Sequence, residues 1–527
     1  MKKIKEIIKK NNRYQNILKV FAAFVFPALL CIVFCAIKGH SVADVFLPAG
    51  EWNDELFYFK QVEGTVNFLY PRGFFGFNES HAEILSYAAW SPVLVTPWII
   101  WGVVFGWNLL SPIICNIVLL CVTSALFVLL TKMKAKDEIA LGAMMIAFTP
   151  FIRYMLSGMP EIICFCACIL FTGLAVNYLL NNRLYKLVIL FAMAAFMTLM
   201  RPYLILFLML PVFLSIKKYK AKGIIASLFT GLVTAGIYVF IKIKLSAEYL
   251  TPLYSTDWIT DFFNKGLATG FHNLSYRIYA MCLNIADYTK SGIITGLCAG
   301  AIFGAFAVLF AIIIVRFILD IVKSKKEKNS ENKNRLFIEG HFIIVLFGMF
   351  SALVLMYKLT EGSKHFLTFL ALGVFILALY HGKYYIENII LVLTFVFFFI
   401  IKANSPYDYE VPFKNETIVN KTAEWKQAFD ENINVDDTVL SFDNVIIWNY
   451  VDVIDGNSYP IKWQYLYMLP KGMGISCCDP NYVSGNFDSL QSKYIVTLKG
   501  SDVDLLCEKK GKELLYSDDE LCFYELR

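Results

Sequence analysis

The sequence predicts an α-helical polytopic membrane protein with one α/β domain at its C-terminus, outside the cytoplasm. Three observations predict it. Of the 527 residues, 58% are hydrophobic and only 17% charged, and the mean hydropathy is +0.58, whereas soluble domains carry about 25% charged residues. The apolar residues fall in long blocks instead of alternating with polar ones, as membrane spans do. The net charge of +6 is gathered into short lysine runs between those blocks, which marks cytoplasmic loops and excludes a nucleic-acid surface.

About eleven spans meet the length requirement of roughly 17–25 residues each, several of them short. They are expected near 17–38, 109–131, 138–156, 161–180, 185–200, 203–216, 223–243, 292–316, 336–357, 366–381 and 386–402. Val20–Ile37 is too long for a signal-peptide core and no small-residue cleavage site follows, so a retained first span is expected. With a cytoplasmic N-terminus (Lys2, Lys3, Lys5, Lys9, Lys10), this threading also places Lys132/Lys134/Lys136, Lys217/Lys218/Lys220/Lys222 and Lys323/Lys325/Lys326/Lys328 inside. Outside fall a first loop at 39–108, the turn 157–160, the tip Arg201-Pro202, the loop 244–291, the tip 358–365 and everything after 403. Membrane part and outer domain therefore divide as 1–402 and 403–527.

Trp90 to Trp107 is apolar and aromatic, contains Pro92 and Pro97, and reaches Gly106. As a full span it would invert the charge rule for everything downstream, so it reads as a helix in the outer interface. After 403 charges rise and turn signals such as Asp455-Gly456-Asn457 appear. Val435–Leu440 and Lys493–Leu498 read as buried strands, and Thr422–Glu431 and Ser501–Lys509 as helices. No Walker loop, Rossmann fingerprint or zinc spacing occurs there. Eight cysteines, among them Cys31, Cys164 and Cys298, sit in apolar spans as small packing residues. Cys477, Cys478, Cys507 and Cys522 belong to the outer domain, where a disulfide can form but its pairing cannot be assigned.

Charged groups near membrane depth are expensive and so are functional candidates. Glu51, Asp54 and Glu55 open the first loop. Asp54 suits a helix N-cap and Glu55 the helix dipole, but three acids exceed what capping requires, and a carboxylate there can take a proton from an attacking hydroxyl. Arg72, Glu79, His81 and Glu83 lie in a loop rich in glycine and aromatics. The last three alternate as metal ligands would, yet alternation alone is weak, and acceptor or sugar contacts suit the loop better. Arg153 and Glu161 flank one turn, and the simplest reading is an ion pair closing it. Arg201 has no adjacent acid and calls for an anionic partner, either a lipid headgroup or a phosphate held by its guanidinium fork. Lys364 and His365 stand where a late span begins, placed to hold or protonate a phosphate leaving group. Asp257, Trp258, Asp261, His272, Arg277 and Asp287 populate the loop 244–291 without picking out a role.

In this order the pieces resemble the GT-C superfamily of membrane glycosyltransferases, which includes protein O-mannosyltransferases and bacterial transferases that modify lipid A or cell-surface polymers. Asp54-Glu55 matches the acidic pair of that family's long first external loop. Phe105-Gly106 matches its Gly turn after Trp-rich interfacial helices, Arg201-Pro202 its external helix tip, and Lys364-His365 the basic start of a late span. The late tip reads Gly-Ser-Lys-His where many relatives carry Arg-Tyr or Arg-His, and Tyr70–Trp107 looks like a subfamily feature. The resemblance implies inverting transfer of a sugar from a polyprenyl-phosphate donor to an extracytoplasmic glycan, lipid or protein. Asp54 would be the base, with Glu55 as neighbour or alternate. Arg201 and Lys364 or His365 would stabilise the departing phosphate, so that a divalent metal is not required. A bacterial plasma membrane would suit such a donor. A lipid-sugar flippase would favour polar groups through the midplane, whereas these candidates cluster at one face. A polysaccharide polymerase or ligase would be expected to carry its key arginines in a large late loop. A catalytically dead relative whose outer domain binds polymer is separated only by assay.

Overall fold

The structure, a computed structural model, describes residues 2–50, 52–69, 75–79, 91–147, 149–245, 257–276, 279, 311–324, 336, 339–348, 351, 411–435 and 441–527. Five of the helices are long and apolar enough to cross a membrane: Tyr14–Ile37, Ser111–Thr131, Glu161–Leu180, Pro202–Tyr219 and Ala221–Lys244. Each coincides with a span expected from hydropathy. The chain is an integral membrane protein.

Helices α1 (Lys2–Ile37), α4 (Ser111–Thr131), α7 (Glu161–Leu180) and α8 (Leu184–Met200) form the bundle, each packing on the one before it. Between them lie α2 (Asn53–Phe68), α3 (Thr96–Phe105), α5 (Ala135–Ala147) and α6 (Thr149–Met155). After Arg201 a 3-10 segment, Pro202–Leu208, leads into α9 (Met209–Tyr219) and α10 (Ala221–Lys244). Helix α7 is the centre, with 78% of its apolar window buried against 11% for α10, which lies at the periphery. The expected span 138–156 is covered by α5 and α6, with residue 148 between them outside the described residues, and α8 has 17 residues, short for a crossing at about 1.5 Å per residue. Residues 311–324 and Glu339–Gly348 are helical, covering parts of the spans expected at 292–316 and 336–357. The spans expected at 366–381 and 386–402 lie outside the described residues.

The bundle has two chemically distinct ends. At one, Lys19 donates to the Met133 carbonyl, Asn177 to that of Leu130, Lys186 to that of Asn177 and Lys218 to that of Asn182. The α4–α5, α7–α8 and α9–α10 turns meet there, with Lys132, Lys134, Lys136, Lys217, Lys218, Lys220 and Lys222. At the other end lie the α6–α7 turn, the α8 terminus and the loop that follows α1.

Helix α3 is too short to span. It buries Trp98 and Gly102 and exposes Ile100, Val103, Val104 and Phe105. Trp98 donates to Asn116 of α4 at 2.9 Å, and Trp107 to the Phe59 carbonyl of α2 at 3.1 Å. Gly106, at φ +84°, makes the sharp exit.

The C-terminal domain is α/β. Its six-stranded sheet has the order β1-β5-β2-β6-β8-β7, from β1 (Phe75–Phe77), β2 (Val445–Trp448), β5 (Gly474–Cys477), β6 (Tyr494–Leu498), β7 (Glu513–Ser517) and β8 (Leu521–Glu525). The four strands β1, β5, β2 and β6 run parallel, and β8 and β7 close the sheet antiparallel. Strand periodicity sorts the side chains. Ile446, Trp448, Ile475, Cys477, Val496 and Phe523 join the main core, while Ile447, Ile495, Cys522 and Tyr524 face a second core. Helix α11 (Glu416–Asn432), capped by Asn415, places Trp425 flat on Tyr465 and edge-on to Tyr516. Helices α12 (Pro480–Asn486) and α13 (Asp502–Lys509, capped by Ser501) bring Val483, Val503 and Cys507 to the second core. The turn read at Asp455-Gly456 joins β3 (Val451–Ile454) to β4 (Asn457–Pro460), both turn residues having positive φ, as a two-residue hairpin demands. The strand expected at Lys493–Leu498 is β6, and α11 and α13 cover the helices expected at Thr422–Glu431 and Ser501–Lys509. Most of Val435–Leu440 lies outside the described residues.

Strand β1 comes from the first loop, some four hundred positions before its neighbour, with Phe75 opposite Ile475 and Phe77 opposite Cys477. Val45 bridges Phe413, Phe46 donates to the Pro412 carbonyl and Lys414 to that of Asp44. Lys60 of α2 donates to the Leu469 carbonyl at 2.9 Å and to Glu63 at 2.8 Å. The sheet domain thus sits on the first loop and on α2. All eleven cysteines of the described residues are free thiols and buried, including Cys477, Cys478, Cys507 and Cys522.

Candidate functional site

Helix α2 lies between the bundle and the C-terminal domain, and its first turn carries the acids. Trp52, not Asp54, is the N-cap; Asp54 and Glu55 both fall in the first turn, where the exposed N–H groups favour negative charge. Asp54 is half-buried. Glu55, one position on, turns inward and is fully buried.

Three groups receive the Glu55 carboxylate. Its Oε1 accepts from Arg153 Nη1 at 3.1 Å and from the Gly158 amide at 3.2 Å. On its other side passes Gly50, where an added Cβ would stand 2.8 Å from Oε2 and 3.1 Å from the Leu47 carbonyl oxygen. A Cβ at Gly158 would lie 3.3 Å from Glu55 Cβ and 3.4 Å from Leu47 Cδ1. Gly50 is therefore required by close approach and not by turn geometry, and Gly158 is a tight fit against Glu55. The Trp52 ring covers the Arg153 guanidinium at 3.8 Å and stacks on Tyr154, an arrangement that favours a cation stripped of water.

The α6–α7 turn is itself anchored. Asn116 of α4, fixed through Oδ1 by Trp98, donates to the Ser157 carbonyl at 3.1 Å; Ser157 Oγ donates to the Tyr154 carbonyl and accepts from the Met159 amide. This fixes the Gly158 N–H that Glu55 uses. Burial pushes the Glu55 carboxyl above its ordinary value, against the opposing pull of Arg153 and Gly158.

A second buried pair lies beside the first. Glu161, the first residue of α7, meets Arg201, just beyond the end of α8, at 2.5 Å. Arg201 Nη1 also donates to Tyr203 Oη at 3.2 Å, and Tyr58 of α2 lies within electrostatic reach of Arg201. All four charged residues are at most 2% exposed. Arg153 therefore does not pair with Glu161 across the turn as the spacing suggested. The turn directs Arg153 under α2 and Glu161 toward α8, and each finds a partner far away in sequence. Arg201 has its anionic partner within the protein. Glu55 Oε2, Arg153 Nε and Glu161 Oε2 are buried with no hydrogen-bond partner among the described residues.

The structure brings together Asp54, Glu55, Arg153, Glu161 and Arg201 at one end of the bundle. Glu79 goes elsewhere: at φ +57°, its carboxylate accepts from the Gln491 amide at 3.0 and 3.1 Å and from that of Ser492 at 2.6 Å. It joins β1 to the sheet domain. Glu51, Arg72, His81, Glu83, Lys364 and His365 lie outside the described residues. Among the described residues no group of three or more His, Cys, Asp or Glu is placed to hold a metal.

Sequence reasoning missed Tyr467, from the 3-10 segment Gln464–Met468 of the C-terminal domain. Its ring meets Phe59 edge-on at 5.4 Å, and Phe59 lies one helical turn beyond Glu55 on the same face of α2. Nothing in the local sequence marks it, since it is one of 29 tyrosines. Gly50 was equally unmarked.

No family model matches this chain, and neither does any curated protein. Two solved structures resemble it at 13% identity. One is the archaeal oligosaccharyltransferase AglB from Archaeoglobus fulgidus in complex with an inhibitory peptide and a dolichol-phosphate, at a TM-score of 0.48. The other is the Archaeoglobus fulgidus oligosaccharyltransferase in the apo form, at 0.49. In both cases the match covers 92% of this chain and 70% of the other.

Proposed function

We propose that this chain is a GT-C-type membrane glycosyltransferase that moves a sugar, with inversion, from a polyprenyl-phosphate donor to an extracytoplasmic glycan, lipid or protein. The observation that carries the reading is the pair of buried ion pairs, Glu55–Arg153 and Glu161–Arg201, under the acid-bearing start of α2. Taking two charges out of water costs several kcal/mol per ion, and well-packed apolar residues would often be about as stable or more so. Two such pairs side by side at a helix-bundle end point to chemistry more than to stability.

The lysine-rich end faces the cytoplasm by the positive-inside bias, which puts the ion pairs and the sheet domain outside. The donor's tail lies between spans and its phosphate at the outer interface. Asp54, half-buried beside Glu55, takes the proton of the acceptor hydroxyl as its oxygen attacks the anomeric carbon and the bond to phosphate breaks. Glu55 is its neighbour and alternate. Arg201, screened by Glu161, shares the departing phosphate charge with Lys364 or His365. No metal is invoked.

The test is transfer of radiolabelled sugar from polyprenyl-phosphate donors in membranes carrying wild-type chain, Asp54→Asn or Glu55→Gln. Wild type should transfer and Asp54→Asn should lose about 100-fold or more. Activity near wild type in both variants would remove the proposed base.

A further inference from the structure

The buried atoms left without partners around Glu55 form a complementary set. Glu55 Oε2 is an acceptor, while Arg153 Nε–H and the Tyr467 hydroxyl are donors; none has a hydrogen-bond partner among the described residues. Their residues are 0%, 2% and 4% exposed. They are also neighbours. Glu55 and Arg153 are in contact, Tyr467 packs on Phe59 one turn along α2, and the charges of both Glu55 and Arg153 act on the Tyr467 phenol. One acceptor and two donors is the inverse of an aliphatic hydroxyl, which has one O–H to give and two lone pairs to fill. A carboxylate or fully ionised phosphate brings no proton for Oε2, and an ammonium has no lone pair for the Arg153 Nε–H.

The geometry points to Tyr467 as a ligand-contacting residue of the site: a hydroxyl of a neutral polyol gives its proton to Glu55 Oε2 and accepts from Tyr467 Oη and Arg153 Nε. The C-terminal domain, through the segment Gln464–Met468, then supplies part of the acceptor subsite. This rests on the glycosyl-transfer reading for its role, though not for its binding chemistry.

Tyr467→Phe removes the hydroxyl and keeps the ring on Phe59. In purified full-length protein, the variant should raise the acceptor KM about tenfold, equivalent to about 1.4 kcal/mol, with donor KM unchanged. Its melting temperature should equal or exceed that of wild type, because an unpartnered buried hydroxyl is deleted. A role in packing alone predicts no KM shift. An acceptor KM within about twofold of wild type, measured on an active enzyme, overturns the inference and leaves the transfer reading standing. If wild type transfers nothing, the probe is methyl hexopyranoside, titrated while following the melting temperature. Saturable stabilisation of wild type that weakens about tenfold in Tyr467→Phe supports the site. No stabilisation of wild type, or equal stabilisation of both, removes it.

Discussion

Breaking the Glu55–Arg153 pair from its two sides should have unequal consequences. Glu55→Gln leaves a guanidinium in the interior that cannot shed its proton, so the full cost of an orphaned buried charge applies, about 3–5 kcal/mol. The new amide still offers an oxygen to the Gly158 N–H, so that hydrogen bond is not part of the loss. Arg153→Met leaves a carboxyl that burial already favours in its neutral form. It escapes the charge penalty by binding a proton, and that proton makes stability depend on pH. With the folded-state value above the ordinary 4.5, the folded chain binds more protons than the unfolded one over the interval between them. Stability is therefore fully present below 4.5 and falls as pH rises through the folded value. Arg153→Met should therefore lose stability as the pH rises from 5 to 7. Thermal unfolding in detergent across that range measures both effects. Glu55→Gln should be the worse variant at pH 5 and Arg153→Met should approach it by pH 7. Equal penalties at both pH values, or a milder Glu55→Gln at pH 5, would refute the argument.

Other outcomes follow from single contacts. Gly50→Ala places a Cβ 2.8 Å from Glu55 Oε2, so it should destabilise by about 1–3 kcal/mol and depress transfer as strongly as Glu55→Gln, read by melting and initial rate. Glu79→Ala takes the charged acceptor from two backbone donors, the Gln491 N–H shared between both carboxylate oxygens and the Ser492 N–H, each charge-assisted bond being worth about 1.5–3 kcal/mol. Hydrogen exchange should then rise in Phe75–Phe77 and in Gly474–Cys477 together. Lys60→Met strips Glu63 and the Leu469 carbonyl of their shared donor and should loosen the domain from α2, seen as new protease cleavage near residue 469. Cys477, Cys478, Cys507 and Cys522, being buried free thiols, should resist maleimide in folded protein and all react in denaturant without reductant.

Much of the membrane part was legible because its determinants are local. Twenty apolar residues and a lysine run announce a span and its end, and the five long helices fall where hydropathy puts them. The short helix α3 was legible from Pro97, Gly106 and its tryptophans, and the hairpin from Asp455-Gly456. In the site, the charged residues themselves stood out, since a charge between apolar spans needs a reason. Their pairing did not. Spacing joins Arg153 to Glu161, whereas the fold joins Arg153 to Glu55 across 98 positions and Arg201 to Glu161 across 40. Gly50, Tyr467 and the buried Lys60 act only through tertiary contacts, so no window of sequence around them carries the signal.

The loop strand β1 hydrogen-bonds to β5 of the C-terminal sheet, which constrains the intervening chain more firmly than any hydropathy threshold. Two segments in one sheet occupy one aqueous compartment, so between Phe77 and Val445 the polypeptide must traverse the bilayer an even number of times. The ten crossings read from the sequence in that interval obey this parity. A revised count that adds or removes a single crossing there would tear the sheet apart, whatever its apolar score.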